Sequence, residues 1–209
     1  MEIERRIHTG TGIEVRRANA DSGVTTLRGY AAKFDTLSEP LFGFREKIAP
    51  DAFADVLEND VRALFNHDPN HVLGRSAAGT LRVQQDEVGL LYEVDLPDTQ
   101  AARDLVTSIK RGDVSQSSFA FTVEKDDWQE DDEGRVIRTI EKFKRLYDVS
   151  PVTYPAYPDA SVGLRSLEAW QKNRTEAREA EVAATAAAER TKREAAHARR
   201  ARFLRLLPA

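Results

Sequence analysis

The stretch from Gly112 to Phe121, GDVSQSSFAF, constrains the fold more than any other, because two incompatible periodicities meet there. Upstream, Ala101, Ala102, Leu105, Val106 and Ile109 recur at helical spacing, with Lys110 and Arg111 in the last turn and Gly112 as the stop. Downstream, Phe119, Phe121 and Val123 alternate with Ala120 and Thr122, a strand pattern. A helix must hand over to a strand within a few residues, and Ser117 and Ser118 sit at the handover. A serine entering a rigid strand is held in place yet can stay open at the strand's end, which suits a nucleophile. The plainer reading is a pair of strand-entry serines bonded to local backbone. These residues alone leave both readings open.

The rest of the first 163 residues reads as short strands. Ile3, Arg5 and Ile7 alternate, as do Ile13, Val15 and Arg17, with a turn at Thr9 to Gly12; Thr25 to Phe34 forms a third strand. A short helix opens at Ile48 to Phe53 with Pro50 near its start, burying Phe53, Val56 and Leu57. Asp60 to Asn66 is a strand that runs into a turn, His67-Asp68-Pro69-Asn70-His71. Thr80 to Gln84 and Gly89 to Leu96 form a hairpin around Gln85-Asp86-Glu87. Glu124 to Gly134, EKDDWQEDDEG, reads as an exposed acidic loop between the serine strand and two more strands, Val136 to Ile140 and Phe143 to Val149. Three prolines in Ser150 to Pro158 argue for a fixed extended or turning segment rather than a central strand.

From Leu164 onward the composition changes. The segment is rich in alanine, glutamate and arginine and holds 11 Lys and Arg against 6 Asp and Glu, leaving 20 against 29 in residues 1–163. An acidic body thus carries a basic tail that reads as one long helix without a sustained leucine heptad. The division is a domain over 1–163 and a helical or partly disordered tail over 164–209. The tail is either a solvated helix or a docking segment that orders on a partner. Cysteine is absent, which excludes disulfides and thiolate chemistry. No apolar run approaches the roughly 18 residues of a membrane span, and the charged N-terminus lacks the apolar core of a secretory signal. A cytosolic protein without membrane contact is expected.

Four histidines limit the chemistry. His8 lies in the first strand or the turn after it without an acidic companion and His197 lies in the tail, leaving His67 and His71. A zinc pair at that spacing needs an unbroken helix, which Pro69 interrupts, so neither metal nor cofactor is expected. His67, at the end of an apolar strand, is the better general base, and a hydrogen-bonded turn histidine is the plainer alternative. A serine nucleophile also needs a group to orient its base. Asp148 stands out in an apolar strand, Leu146-Tyr147-Asp148-Val149, where a buried carboxylate demands a partner. A solvent-facing strand residue is equally compatible.

Five segments, in order, then resemble the tailed-phage prohead proteases, capsid-maturation serine proteases related to herpesvirus assemblins. They are Gly29 to Phe34; Phe44-Arg45-Glu46 with Ile48 to Phe53; Leu64 to Asp68 with Leu73-Gly74-Arg75; Gly112 to Ser115 with Ser118 to Phe121; and Leu146 to Ala156. Asp51 replaces a usual glycine, Asp148 stands where glutamate is common, and Gln116-Ser117 replaces a frequent Gly-Met. The resemblance covers roughly residues 25–163 and implies His67 as base, Ser118 as nucleophile and Asp148 as orienting acid.

It also implies a β-rich α+β fold, a closed, mostly antiparallel barrel with flanking helices, in keeping with about eight short strands and two helices in the pattern. The implied role is a serine endopeptidase inside the procapsid, in the host cytoplasm, that cleaves scaffold, the N-terminal region of the major capsid protein, and itself. The likeness to assemblins, which dimerise, leaves room for a homodimer. The rival is a non-enzymatic scaffold or capsid-assembly protein that binds shell subunits through the tail. Specific nucleic-acid binding through Arg199, Arg200, Arg202 and Arg205 is disfavoured by the acidic body.

Overall fold

Alternating side chains build most of the first 154 residues into strands. The computed structural model describes residues 3–8, 12–17, 24–41, 43–154 and 161–204, leaving aside the side chains of 161, 162 and 196–204. The expected turn at Thr9 to Gly12 and the proline segment after Tyr154 lie largely outside the described residues. The chain divides into two units, Met1–Leu164 and Arg165–Ala209.

In the first unit the strands are β1 (Glu4–His8), β2 (Glu14–Arg17), β3 (Thr25–Lys33), β4 (Phe44–Ile48), β5 (Arg62–Phe65), β6 (Asp68–Arg75), β7 (Leu81–Gln85) and β8 (Gly89–Asp95). Helix α1 (Gln100–Arg111) follows, then two long strands, β9 (Gln116–Glu130) and β10 (Val136–Val152). One sheet has the order β1-β9-β10-β5-β6, with β4 also paired to β10; the other runs β2-β3-β8-β7.

These two open sheets replace the closed barrel that the sequence suggested: among the described residues neither sheet closes. The cause is the length of β10. One end of it pairs in parallel with β4, Val136↔Phe44 to Ile140↔Ile48, and the other pairs in parallel with β5 at Asp148↔Arg62 and Val149↔Ala63. The sheet forks along this strand instead of curling back to meet β1. A single core joins the two sheets, with Leu27, Ala31, Leu90, Tyr92 and Val94 from one and Ala63, Phe119, Phe121, Leu146 and Val149 from the other. The Phe53 ring lies in it, stacked on Phe143 at 4.2 Å and edge-on to Phe119 at 5.7 Å.

Several local expectations change for definable reasons. The acidic run Glu124 to Glu130 is strand, not loop, because it pairs with β10 through Glu130↔Val136 and Asp127↔Thr139. Trp128 from that run packs its ring on Phe44 and under the Arg138 guanidinium. The two short strands after it are one, interrupted by register shifts between Ile140 and Arg145. The short helix after Pro50 shrinks to a single 3-10 turn, Ala54–Val56. Pro151 lies within central β10, paired with Ser117. The parallel ladder with β5 stops before it, since proline has no N–H to give on that side; its carbonyl still accepts from the Asn66 N–H at 3.0 Å.

Helix α1 forms where the periodicity placed it. Thr99 caps its start, accepting the Ala102 N–H at 3.3 Å. Gly112 at φ 87° ends it in the left-handed conformation, its N–H bonded back to Ile109. Ala102, Leu105 and Ile109 are its buried side.

One buried ion cluster ties β1 to its neighbours. Arg6 meets Glu46 at 2.8 Å and Glu4 at 2.6 Å, while Arg138 meets Glu4 at 2.8 Å, Glu46 at 2.9 Å and Asp126 at 2.7 Å. Burial alone would raise the Glu4 carboxyl, but hydrogen bonds and charge from Arg138 and Arg6 outweigh it and hold it below its ordinary 4.5.

The second unit is the continuation of α2 (Ser161–Leu204), whose side chains from Gln171 to Ala195 lie open to solvent except where paired along the helix, as Arg190 with Glu194 at 3.0 Å. No described helix is long and apolar enough to cross a membrane.

Breaking the ion cluster leaves carboxylates buried without partners. Arg138→Ala should therefore lower the unfolding free energy by about 3–5 kcal/mol in urea titration. Because the Glu4 carboxyl is depressed in the folded state, its contribution is present above the unfolded value and is lost as pH falls through the folded one. Wild-type stability should thus decline on acidification below about pH 4.5, and Glu4→Gln should flatten that decline.

Candidate active site

A tight hairpin presents His67. Phe65 pairs with Asp68, and the two residues between them, Asn66 and His67, have φ of 55° and 57°. This is the left-handed pair of a two-residue type I′ turn. Side chains other than glycine resist that conformation, asparagine and histidine less than most. Tertiary bonds hold it here. The Asn66 N–H donates to Pro151, and Asn66 Oδ1 accepts from the Thr153 N–H at 2.9 Å and the Thr153 hydroxyl at 3.2 Å. The turn is thereby fastened to the end of β10. The sequence expectation of a turn from His67 to His71 narrows to its first residue, because Asp68 to His71 belong to edge strand β6, where Pro69 is tolerated.

Strands β9 and β10 supply the other groups. In register Ser150 faces Ser118, Val149 faces Phe119 and Asp148 faces Ala120. Phe119 and Val149 point into the core, so Ser118, Ser150 and Asp148 share the opposite face. A bulge makes this arrangement. Between Leu146 and Asp148 the register shifts by one residue, letting Leu146 face the core opposite Phe121 while Asp148 faces outward. The Leu146 N–H is fixed by Asn59 Oδ1 at 3.0 Å.

The three side chains proposed from sequence meet in line. His67 Nδ1 lies 2.6 Å from Asp148 Oδ1, and His67 Nε2 lies 2.6 Å from Ser118 Oγ. An ionised carboxylate only accepts, so Nδ1 carries the proton toward Asp148. In the neutral imidazole Nε2 is then free to accept the Ser118 proton. The Arg6 carbonyl of β1 also accepts from Ser118 Oγ, at 2.9 Å, and Ser118 is wholly buried.

Ser117 takes no part. It points the other way and shares a hydrogen bond with the Tyr92 hydroxyl at 2.9 Å inside the core. Burial pushes that phenol up to about 12, with the bond to Ser117 a partial offset, so it stays protonated. His71 stands apart, half exposed, 3.8 Å from Asp68 and edge-on to Phe65. Among the described residues no cluster of three or more His, Asp or Glu side chains could hold a metal ion. His8 lies in β1 opposite Ser117, while the side chains of His197, Arg199, Arg200, Arg202 and Arg205 fall outside the described residues. Sequence reasoning assigned no role to Asn66, Ser150 or the Arg6 carbonyl. The alternation of Asp148 and Ser150 on one strand was a usable signal for Ser150.

This chain belongs to the caudovirus prohead serine proteases: residues 11–173 match that family's sequence model, well over half of the 209. It is 27% identical over 160 residues to the prohead protease of Enterobacteria phage HK97, an alignment covering 69% of this chain and 66% of that protein, just under two thirds of the relative's length. Among solved structures it is similar to the bacteriophage T4 capsid assembly protease, with 13% identity and a TM-score of 0.44 over 73% of this chain and 99% of the other.

The strained turn gives a direct test. Asn66→Ala removes the acceptor of the Thr153 N–H and hydroxyl and puts a residue that tolerates the left-handed conformation less well at φ 55°, and should cost about 1–2 kcal/mol of stability in chemical denaturation. Asn66→Gly keeps the turn and should cost less.

Proposed function

We propose that this chain is a serine endopeptidase of phage capsid maturation. It works inside the procapsid in the host cytoplasm on scaffold, on the N-terminal region of the major capsid protein, and on itself. The observation that carries the reading is the in-line contact of Ser118, His67 and Asp148, 2.6 Å at each link. Membership of the prohead serine protease family supports the setting. The likeness to assemblins supports a homodimer as the working form, to be read by sedimentation velocity. The unit 1–163 carries the chemistry and the tail 164–209 the recruitment.

The chemistry is acyl transfer. Ser118 Oγ attacks the peptide carbonyl carbon as its proton passes to His67 Nε2. Asp148 holds the ring with Nδ1–H toward it and stabilises the imidazolium that forms. The tetrahedral intermediate collapses, Nε2 returns the proton to the leaving amine, and the acyl group stays on Ser118. Water, deprotonated by the same nitrogen, then releases it.

The resting arrangement is a latent one. The Ser118 hydroxyl has one proton and two acceptors, His67 Nε2 and the Arg6 carbonyl, and only donation to Nε2 activates it. A wholly buried Oγ also admits no substrate carbonyl. Edge strand β1 pairs Ile7 with Ser118, so its displacement would take the Arg6 carbonyl away from Ser118 and free that flank of β9. An extended peptide would then be held by main-chain bonds on that flank.

Intact mass over time, with wild type beside Ser118→Ala and with capsid protein added, tests the assignment. Ser118→Ala should lose at least about 10⁴-fold in cleavage without unfolding, whereas Ser117→Ala should keep cutting. Equal processing by wild type and Ser118→Ala would sink it. Removing residues 1–8 should speed labelling of Ser118 by a fluorophosphonate; an unchanged rate would refute the latent arrangement.

A further inference from the structure

Ser150 lies next to this chemistry and the mechanism above does not use it. Its hydroxyl is wholly buried and faces Ser118 across the strand pair. It donates to Asp148 Oδ1 at 2.7 Å, the same oxygen that meets His67 Nδ1 at 2.6 Å. Its distance to Nδ1 itself is 3.4 Å. Since Nδ1 already carries a proton directed at Asp148, the Ser150 proton goes to the carboxylate. One oxygen with two lone pairs therefore accepts two donors.

We propose that Ser150 is a positioning residue for the proteolytic site, holding the Asp148 carboxylate so that Oδ1 stays aimed at His67 Nδ1. The inference rests on the protease reading above. Two observations support it. Asp148 follows a bulge, so its backbone is set by an irregular register rather than a continuous ladder. Ser150, two residues on, lies on the same face of the same strand, where its backbone is paired to Ser118. A hydroxyl there limits rotation of the carboxylate by holding Oδ1.

A buried serine that merely satisfies its own hydroxyl would make the same bond, so the test needs readouts that packing alone would not move. The variants are Ser150→Ala, which removes the donor, and Ser150→Thr, which keeps it, each checked for folding by thermal melting. In the active chain, Ser150→Ala should lower kcat and the saturating rate of fluorophosphonate labelling by about ten- to a hundredfold, the worth of a hydrogen bond to a charged group, with KM unchanged. Ser150→Thr should restore most of it. The second readout needs no turnover. In a Ser118→Ala background, the far-downfield Nδ1–H proton resonance of His67, assigned by its loss in His67→Gln, should persist with Ser150→Thr and disappear with Ser150→Ala. If the resonance and kcat are both unchanged in folded Ser150→Ala, the role of Ser150 is overturned and the protease reading stands. If the resonance is already missing with Ser150 present, the pairing of His67 with Asp148 is wrong, and both readings fall together.

Discussion

The antiparallel pairing of β9 with β10 is the constraint on which the site depends. Every group proposed for the chemistry except His67 lies on this ribbon, and His67 is fastened to it through Asn66 and Thr153. Side chains alternate between faces, so a slip of one residue would bury Ser118 and Asp148 in the core and turn Phe119 and Val149 outward. The register is defended from the core side. Phe119, Phe121 and Phe143 pack against one another, Phe53 packs on Phe119 and Phe143, and Ser117 is tied to Tyr92 of the other sheet. Exchanging those contacts for solvated aromatic rings would cost about 1.5–3 kcal/mol for each ring. Apolar packing on one face of the ribbon thus sets the position of the polar groups on the other.

Within that ribbon the bulge at Tyr147 reconciles two demands. Leu146 belongs to the core and Asp148 to the site, yet residues two apart on a regular strand share a face. An extra residue opposite the step from Ala120 to Phe121 breaks the alternation once. The hairpin turn at Asn66 and His67 is a second local departure, a pair of left-handed residues that glycine would occupy more cheaply. Both irregularities coincide with groups proposed for catalysis, where strain and broken ladders concentrate.

The sequence carried the local order well. The α1 periodicity, the Gly112 stop and the strand that follows are consequences of nearest-neighbour chemistry, and they form as written. The candidate triad was also legible, through an ordered set of motifs rather than through any one residue. What the sequence hid was tertiary. Glu124 to Glu130 reads as an acidic loop because its charges resemble solvated ones; partners on β10, such as Arg138 beside Asp126, make it strand. Closure into a barrel depends on which edges meet, and the strand pattern does not say that β10 is long enough to fork. Nor could alternation alone orient Asp148, because the bulge that re-aims it leaves no mark in composition.

Arg6 joins two features that are otherwise distant in sequence. Its guanidinium belongs to the buried cluster with Glu4, Glu46 and Arg138, while its carbonyl accepts the Ser118 hydroxyl. Buried ion pairs are poor sources of net stability, since desolvation cancels most of their attraction, but they penalise any geometry that separates the partners. A cluster contributing both Glu4 and Arg6 from β1 therefore fixes that strand in one register rather than strengthening the fold in general. If β1 moved out by even a few ångströms, the charges would have to be hydrated together. Partial release is then disfavoured, and displacement tends to all or none. Under the protease reading, such a strand would separate a closed form, with the Ser118 proton shared with Arg6, from an open one in which Nε2 alone receives it.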